Sequence, residues 1–175
     1  MHAQSNQLFG IQKGLKDSAP ATTGAFRSES QSASDQILLA KGLKAEYVTR
    51  NAANVTDMMV LWPTSNPTHL ITCVEAGRQD LGMGKFNPSV QRIDLATGSV
   101  ETILRGMTAC DGIKTTAWGT VLVSEETSTG KAYEIASPLF TTENTVIDRT
   151  TGEITGNTAE NVVIRQTLPT ILNDN

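Results

Sequence analysis

The segment richest in potential chemistry runs from Ala109 to Thr127, where Cys110 and Asp111 precede a glycine and a strand-like run ends in two adjacent carboxylates, Glu125 and Glu126. Carboxylate oxygens are hard donors, and several of them at the mouth of a strand suit Ca2+ or a similar cation. Side chains alternate along a strand, so Val121, Val123 and Glu125 are expected on one face, and Leu122, Ser124 and Glu126 on the other. The two glutamates therefore cannot share one apolar layer, and one of them must meet solvent, a cation or a channel. Glu75 has a comparable setting, after the apolar run His69-Leu70-Ile71-Thr72-Cys73-Val74 and before Ala76-Gly77. The candidate metal ligands are thus Glu125, Glu126, Asp111 and Glu75, with Cys110 as a thiolate ligand if a nearby cation lowers its pKa. The competing reading is that carboxylates after strands are turn residues facing water.

Other chemistries find less support. His2 is terminal and His69 opens a strand after Asn66-Pro67, so neither a Ser-His-Asp triad nor a His-rich zinc site is assembled. Gly82-Met83-Gly84-Lys85 is a loop and not a phosphate-cradling motif. Asn54-Val55-Thr56 is a formal glycosylation sequon of a kind that arises often by chance. Cys73 and Cys110 lie in no CxxC pair; buried thiols are the favoured reading, with one bridge, or one ligand and one bystander, as the alternatives. Trp62 and Trp118 each stand beside a turn, where they are expected to pack between small sheets.

The elements that must position these residues are read from texture. The chain has 175 residues, of which 38% are apolar, 5% aromatic and 18% charged, which fits one fold unit with an aliphatic core and a lightly charged surface. A formal charge of -4 gives no electrostatic drive towards a polyanionic backbone, so nucleic acid is not expected as a partner. The longest apolar run, Met58 to Trp62, falls far short of the roughly 20 residues that cross a bilayer. The first thirty residues hold no signal-peptide core, so any export signal is expected to have been removed or never to have existed. Residues Lys16–Asp35 are dominated by Ser, Ala, Thr, Gly and acids, and the expectation for 1–35 is a flexible lead.

From residue 36 onward, runs rich in Val, Ile, Thr, Tyr and Trp alternate with Gly, Asn, Asp and Pro. The expected strands are Glu46–Thr49, Asp57–Trp62, His69–Glu75, Val90–Leu95, Ser99–Leu104, Gly112–Thr115, Thr120–Glu125, Lys131–Ile135, Thr145–Arg149 and Glu153–Ile154. Only Asp35–Gly42 is a helix candidate, and its apolar centre fits a strand edge equally well.

One pattern recurs. Ile93-Asp94-Leu95-Ala96-Thr97-Gly98-Ser99-Val100 is matched by Ile147-Asp148-Arg149-Thr150-Thr151-Gly152-Glu153-Ile154, an offset of 54 residues. In each copy a strand runs into Asp-x-x-Thr-Gly, where Asp can bond the turn and Gly can take positive φ, so each is expected to be a hairpin. Hairpins at this spacing point to an all-β chain of propeller blades, with sandwiches and barrels as alternatives. Residues 36–175 supply only two to three units of this period, whereas closed propellers usually carry about four to eight blades. The expectation is an incomplete β-propeller whose open edges meet further blades of the same protein or a second chain.

Together, Thr56-Asp57-Met58-Met59 with Trp62-Pro63, Thr68 through Glu75, Phe86-Asn87-Pro88-Ser89-Val90-Gln91-Arg92-Ile93, and Cys110-Asp111-Gly112-Ile113-Lys114-Thr115-Thr116-Ala117-Trp118-Gly119-Thr120 with Glu125-Glu126 resemble the bacterial PhoX-like family. That family is related to the calcium- and iron-dependent alkaline phosphatases, and Ala117 stands where its pattern usually has Pro. The resemblance implies a propeller with Ca2+ and Fe at its channel mouth, hydrolysis of phosphate monoesters, a longer full-length protein, and a periplasmic or extracellular location. This chain then corresponds to the N-terminal part, with an incomplete metal centre. The alternative function is a non-catalytic β module that assembles with other chains through its open edges into an oligomer or fibre.

Overall fold

The computed structural model describes residues 2–19 and 30–165. The chain divides into two compact units, Met1–Val48 and Thr49–Asn175.

In the first unit, helix α1 spans His2–Phe9. It stops where the Gly10 N–H donates to the Asn6 carbonyl and Gly10 turns to φ 68°, a left-handed stop that glycine takes without a Cβ penalty. Lys13 bridges Lys41, and a 3-10 turn over Ala33–Asp35 is capped by Ser32. None of this unit's described residues is buried, as its Ser- and Ala-rich composition leads one to expect. Helix α1 was not among the expected elements. Beyond the 3-10 turn that ends at Asp35 and the Lys41 bridge, residues 35–42 form neither a helix nor a strand, Glu46–Thr49 is not a strand, and residues 20–29 of the expected flexible lead lie outside the described residues.

The regular structure of the second unit is nearly all β-strand: β1 Thr56–Trp62, β2 His69–Val74, β3 Pro88–Asp94, β4 Val100–Arg105, β5 Cys110–Thr115, β6 Val121–Glu125, β7 Ala132–Ile135, β8 Asn144–Asp148, β9 Glu153–Thr155 and β10 Val162–Arg165. The all-β expectation holds. One sheet has the order β1-β2-β3-β4-β8-β9 and the other β10-β7-β6-β5. All neighbours pair antiparallel except β4 and β8, which meet in parallel over Leu104↔Asn144 and Arg105↔Thr145. Neither sheet closes on itself.

Both copies of the repeated pattern are hairpins. Asp94 Oδ1 accepts the N–H groups of Ala96 and Thr97, and Asp148 Oδ1 accepts those of Thr150 and Thr151. Gly98 at φ 71° and Gly152 at φ 78° then turn the chain into the returning strand.

One core joins the two sheets. Ile71 and Cys73 of β2, Val90 of β3, and Ile103 and Leu104 of β4 pack with Ile113 of β5, Val121 and Val123 of β6, and Tyr133 and Ile135 of β7. Burying such aliphatic side chains is worth about 1.5–3 kcal/mol each. Cys73 and Cys110 are bonded to each other, with Cα atoms 5.1 Å apart. This corrects the favoured expectation of buried thiols: a contact between β2 and β5, 37 residues apart in sequence, brings the two together.

Candidate functional site

The candidate residues gather at the end of the two sheets where β5 packs against β1 and β2. β1 carries an irregularity between Thr56 and Met59, and β5 another between Cys110 and Ile113. Such bulges re-aim side chains, and Asp57 and Asp111 sit inside them. At Gly112 an added Cβ would run into the Ser124 hydroxyl, so a side chain in the bulge of β5 would force Ser124 to another rotamer.

Two residues outside the ordinary backbone regions hold this end together. Val55, at φ 57°, is a β-branched residue in left-handed conformation, where such residues are outliers; its carbonyl accepts the Glu75 N–H at 2.9 Å. Ala109, at φ 49°, accepts the Glu126 N–H at 2.8 Å and donates its own N–H to the Ala76 carbonyl at 2.9 Å. Both glutamates are thus hung from strained backbone.

The result is a group of carboxylates with like charge. Removal from water, a hydrogen bond with Glu126, and repulsion from Glu126, Asp57 and Asp111 push the Glu75 carboxyl above its ordinary value. Removal from water, a hydrogen bond with Asp57, and repulsion from Glu126 and Asp57 do the same to Asp111. Three of the residues singled out in the sequence, Glu75, Asp111 and Glu126, are therefore brought together, and Asp57 joins them. Its signal was weak: a polar residue at the start of an apolar strand, pointing anywhere until the bulge is known.

Glu125 belongs elsewhere. The burial pattern of β6 follows the expected alternation, with Val121, Val123 and Glu125 inside. Glu125 Oε1 accepts the Thr108 N–H at 2.8 Å, while Oε2 accepts the Lys131 N–H at 2.9 Å and both Nε and Nη2 of Arg149 at 2.9 and 2.6 Å. Its oxygens are occupied, and it ties the ends of β5, β6 and β8 together. Cys110, in the cystine, offers no thiolate. Among the described residues no three His, Cys, Asp or Glu side chains already surround a common point suited to a metal ion.

A second buried acid was not foreseen. Glu134 of β7 accepts hydrogen bonds from Thr120 Oγ1 and Trp118 Nε1 at 2.7 Å and from Arg165 Nε at 2.6 Å. The Thr120 and Trp118 bonds, then Arg165, lower its pKa to about 2. His69 lies 3.6 Å from Asp94 at the rim of a cleft also lined by Arg92, Ser99, Glu101 and Leu139. Arg92 there is spent on the carbonyls of Pro138 and Thr141 and on Glu101.

No family model, curated protein or solved structure matches the chain. No described helix is long and apolar enough to cross a membrane.

Proposed function

We propose that the chain binds a divalent cation, Ca2+ above all, through Asp57, Glu75, Asp111 and Glu126, and that this centre serves phosphate-monoester hydrolysis of the PhoX-like kind. The observation that carries the reading is the convergence of four carboxylates from different strands, close enough to raise the pKa values of two of them. A cation placed among them relieves that repulsion and replaces its own hydration shell with hard oxygen ligands. The donor set is carboxylate only, which suits Ca2+ and leaves Fe with oxygen ligands alone, since Cys110 is in the cystine. The side chains must close around the ion, because no three of them are yet arranged about one point. When bound, the cation supplies Lewis-acid polarisation of a phosphoryl oxygen. The chain's own part is to hold and orient: the left-handed Val55 and Ala109 fix the two glutamates, and the bulges aim the two aspartates.

The propeller reading rests on two four-stranded groups, the β1-β2-β3-β4 meander and the β10-β7-β6-β5 sheet, each of blade size and packed through one core. The cystine supports a periplasmic or extracellular location, because oxidising compartments preserve such bonds.

Calorimetric titration of Ca2+ into metal-stripped protein tests the cation reading. Binding is expected in the wild type and its loss in Asp111→Asn and in Glu126→Gln; an undiminished response in both variants refutes the ligand set. Turnover of a chromogenic phosphomonoester in Ca2+ tests the chemistry, and binding without turnover refutes hydrolysis by this chain alone.

A second reading, assembly through open edges, is favoured by β1. Among the described strands this seven-residue strand pairs with β2 alone, and Met58, Met59 and Leu61 are about half exposed. It expects an oligomer by light scattering that Met59→Lys dissociates; a wild-type monomer at all concentrations overturns it.

A further inference from the structure

The cystine and the carboxylate group occupy the same end of the molecule. Cys73 is the last residue but one of β2, two residues before Glu75, and Cys110 begins β5 one residue before Asp111. The bond therefore joins one sheet to the other at the point where Asp57, Glu75, Asp111 and Glu126 face each other. The neighbouring charges that act on Glu75 and Asp111 are all carboxylates, and the Glu75–Glu126 and Asp57–Asp111 contacts reach from one sheet to the other, so when all four are ionised their charges repel across the gap. The Ala109 N–H to Ala76 carbonyl bond crosses the same gap. Away from it, β2 is laddered to β1 and β3, and β5 to β6, so the sheets themselves do not depend on the cystine.

We propose that the Cys73–Cys110 bond is a redox latch that keeps this end of the two sheets closed against the mutual repulsion of the four carboxylates, and that cutting it lets the end open while the rest of the unit stays folded. The latch works by thiol–disulfide exchange with a dithiol. A dithiol thiolate attacks one sulfur, the S–S bond breaks, and a mixed disulfide forms. The second dithiol sulfur then closes the reagent into its own cyclic disulfide, leaving Cys73 and Cys110 as thiols that have gained two electrons and two protons. Both cysteines are fully buried in the closed state, so exchange requires a transient local fluctuation that exposes a sulfur while the bond is still intact, and reduction is slow in the closed form. The inference concerns the cation-free protein, in which the repulsion among the four carboxylates is not relieved.

Amide hydrogen exchange on the full chain tests it, comparing oxidised protein, dithiothreitol-treated protein and Cys73→Ala/Cys110→Ala. Cutting the bond should speed exchange at Ala109, whose N–H bond to the Ala76 carbonyl crosses the gap, by about tenfold or more while the Val123 amide, deep in β6, keeps its protection. Unchanged exchange at Ala109 overturns the proposal, as does loss of protection at Val123 as well, which is global unfolding. The part played by repulsion is read from Asp57→Asn/Glu126→Gln. Once reduced, this variant should stay protected; if it opens as far as reduced wild type, the bond is not working against charge. Should the double-alanine variant fail to fold, the dithiol-treated wild type decides alone.

Discussion

Glu125 and Glu126 are neighbours in sequence, yet the same substitution at each should move stability in different directions. Glu125 is a buried carboxylate whose oxygens receive four N–H groups, and its partner Arg149 keeps about a quarter of its side chain exposed. Glu125→Gln preserves shape but turns one oxygen into an NH2. If the amide nitrogen faces Thr108, that backbone N–H loses its acceptor, which costs about 1–3 kcal/mol. If it faces Lys131 and Arg149, three donors meet a donor, and the loss is greater. Removing one member of a buried ion pair costs about 3–5 kcal/mol; with Arg149 partly in water the expectation falls to about 2–4 kcal/mol. Against a typical total stability of about 5–15 kcal/mol this is a large fraction. In urea, with a slope of about 1–3 kcal/mol per molar, the midpoint should drop by roughly 1–2 M. Glu126→Gln, by contrast, removes one charge from a repelling group, and its midpoint should stay or rise. Equilibrium urea unfolding of both variants is the assay. A Glu125→Gln midpoint equal to wild type would refute the bonded-anchor account, and an equally large loss at Glu126 would refute the like-charge account.

Glu75 and Asp111 bind their protons more tightly in the folded chain than in the unfolded one, so the folded state holds more protons between the ordinary and the raised values, and stability falls as pH rises through that window. The thermal midpoint of Asp57→Asn/Glu126→Gln should therefore gain on wild type as pH rises from about 4 to 7; a gap that does not change with pH refutes this. Glu134 works the other way: its contribution is present above the ordinary value of 4.5 and disappears as pH falls towards about 2, so wild type and Glu134→Gln should converge on the acid limb, and parallel curves would sink the point. Gly106 has φ 84° and faces the Val146 backbone, whereas Gly119 has the same φ with open space around it. Gly106→Ala should cost at least about 2 kcal/mol in urea unfolding and Gly119→Ala about 1–2 kcal/mol, the left-handed backbone term alone; equal costs would show that the Val146 contact yields.

What the sequence could reveal was local. The Asp-x-x-Thr-Gly turns were readable because Asp94 and Asp148 each bond the amides two and three residues ahead, and the alternation from Val121 to Glu125 was readable because a strand's period is independent of its partner. β10 was missed because Val162-Val163-Ile164-Arg165 is a short run whose partner, β7, is separated from it by the β8–β9 hairpin. The cystine and the Arg149–Glu125 pair are likewise products of topology, joining residues 37 and 24 positions apart. Asp57 needed the bulge in β1 to be known first, and nothing in a run of Thr-Asp-Met-Met announces an irregular pairing.

The departures from local rules are not scattered. Val55 and Ala109 in left-handed backbone, the bulges at Asp57 and Asp111, and a group of four carboxylates, two of which feel only the charges of the others, all fall at one end of the sheets, beside the cystine. A sequence selected for stability alone has simple remedies there: a glycine at position 55 or 109, or a lysine in place of one acid. Each would relieve strain or repulsion without disturbing the core formed by Ile71, Val90, Val123 and Tyr133. Glu125, a few ångströms of backbone away, shows what this chain does when an acid is structural: it surrounds the carboxylate with donors and an arginine. The four acids at the strand ends lack that treatment, and costs left standing at one place are the physical mark of a site kept for something other than folding.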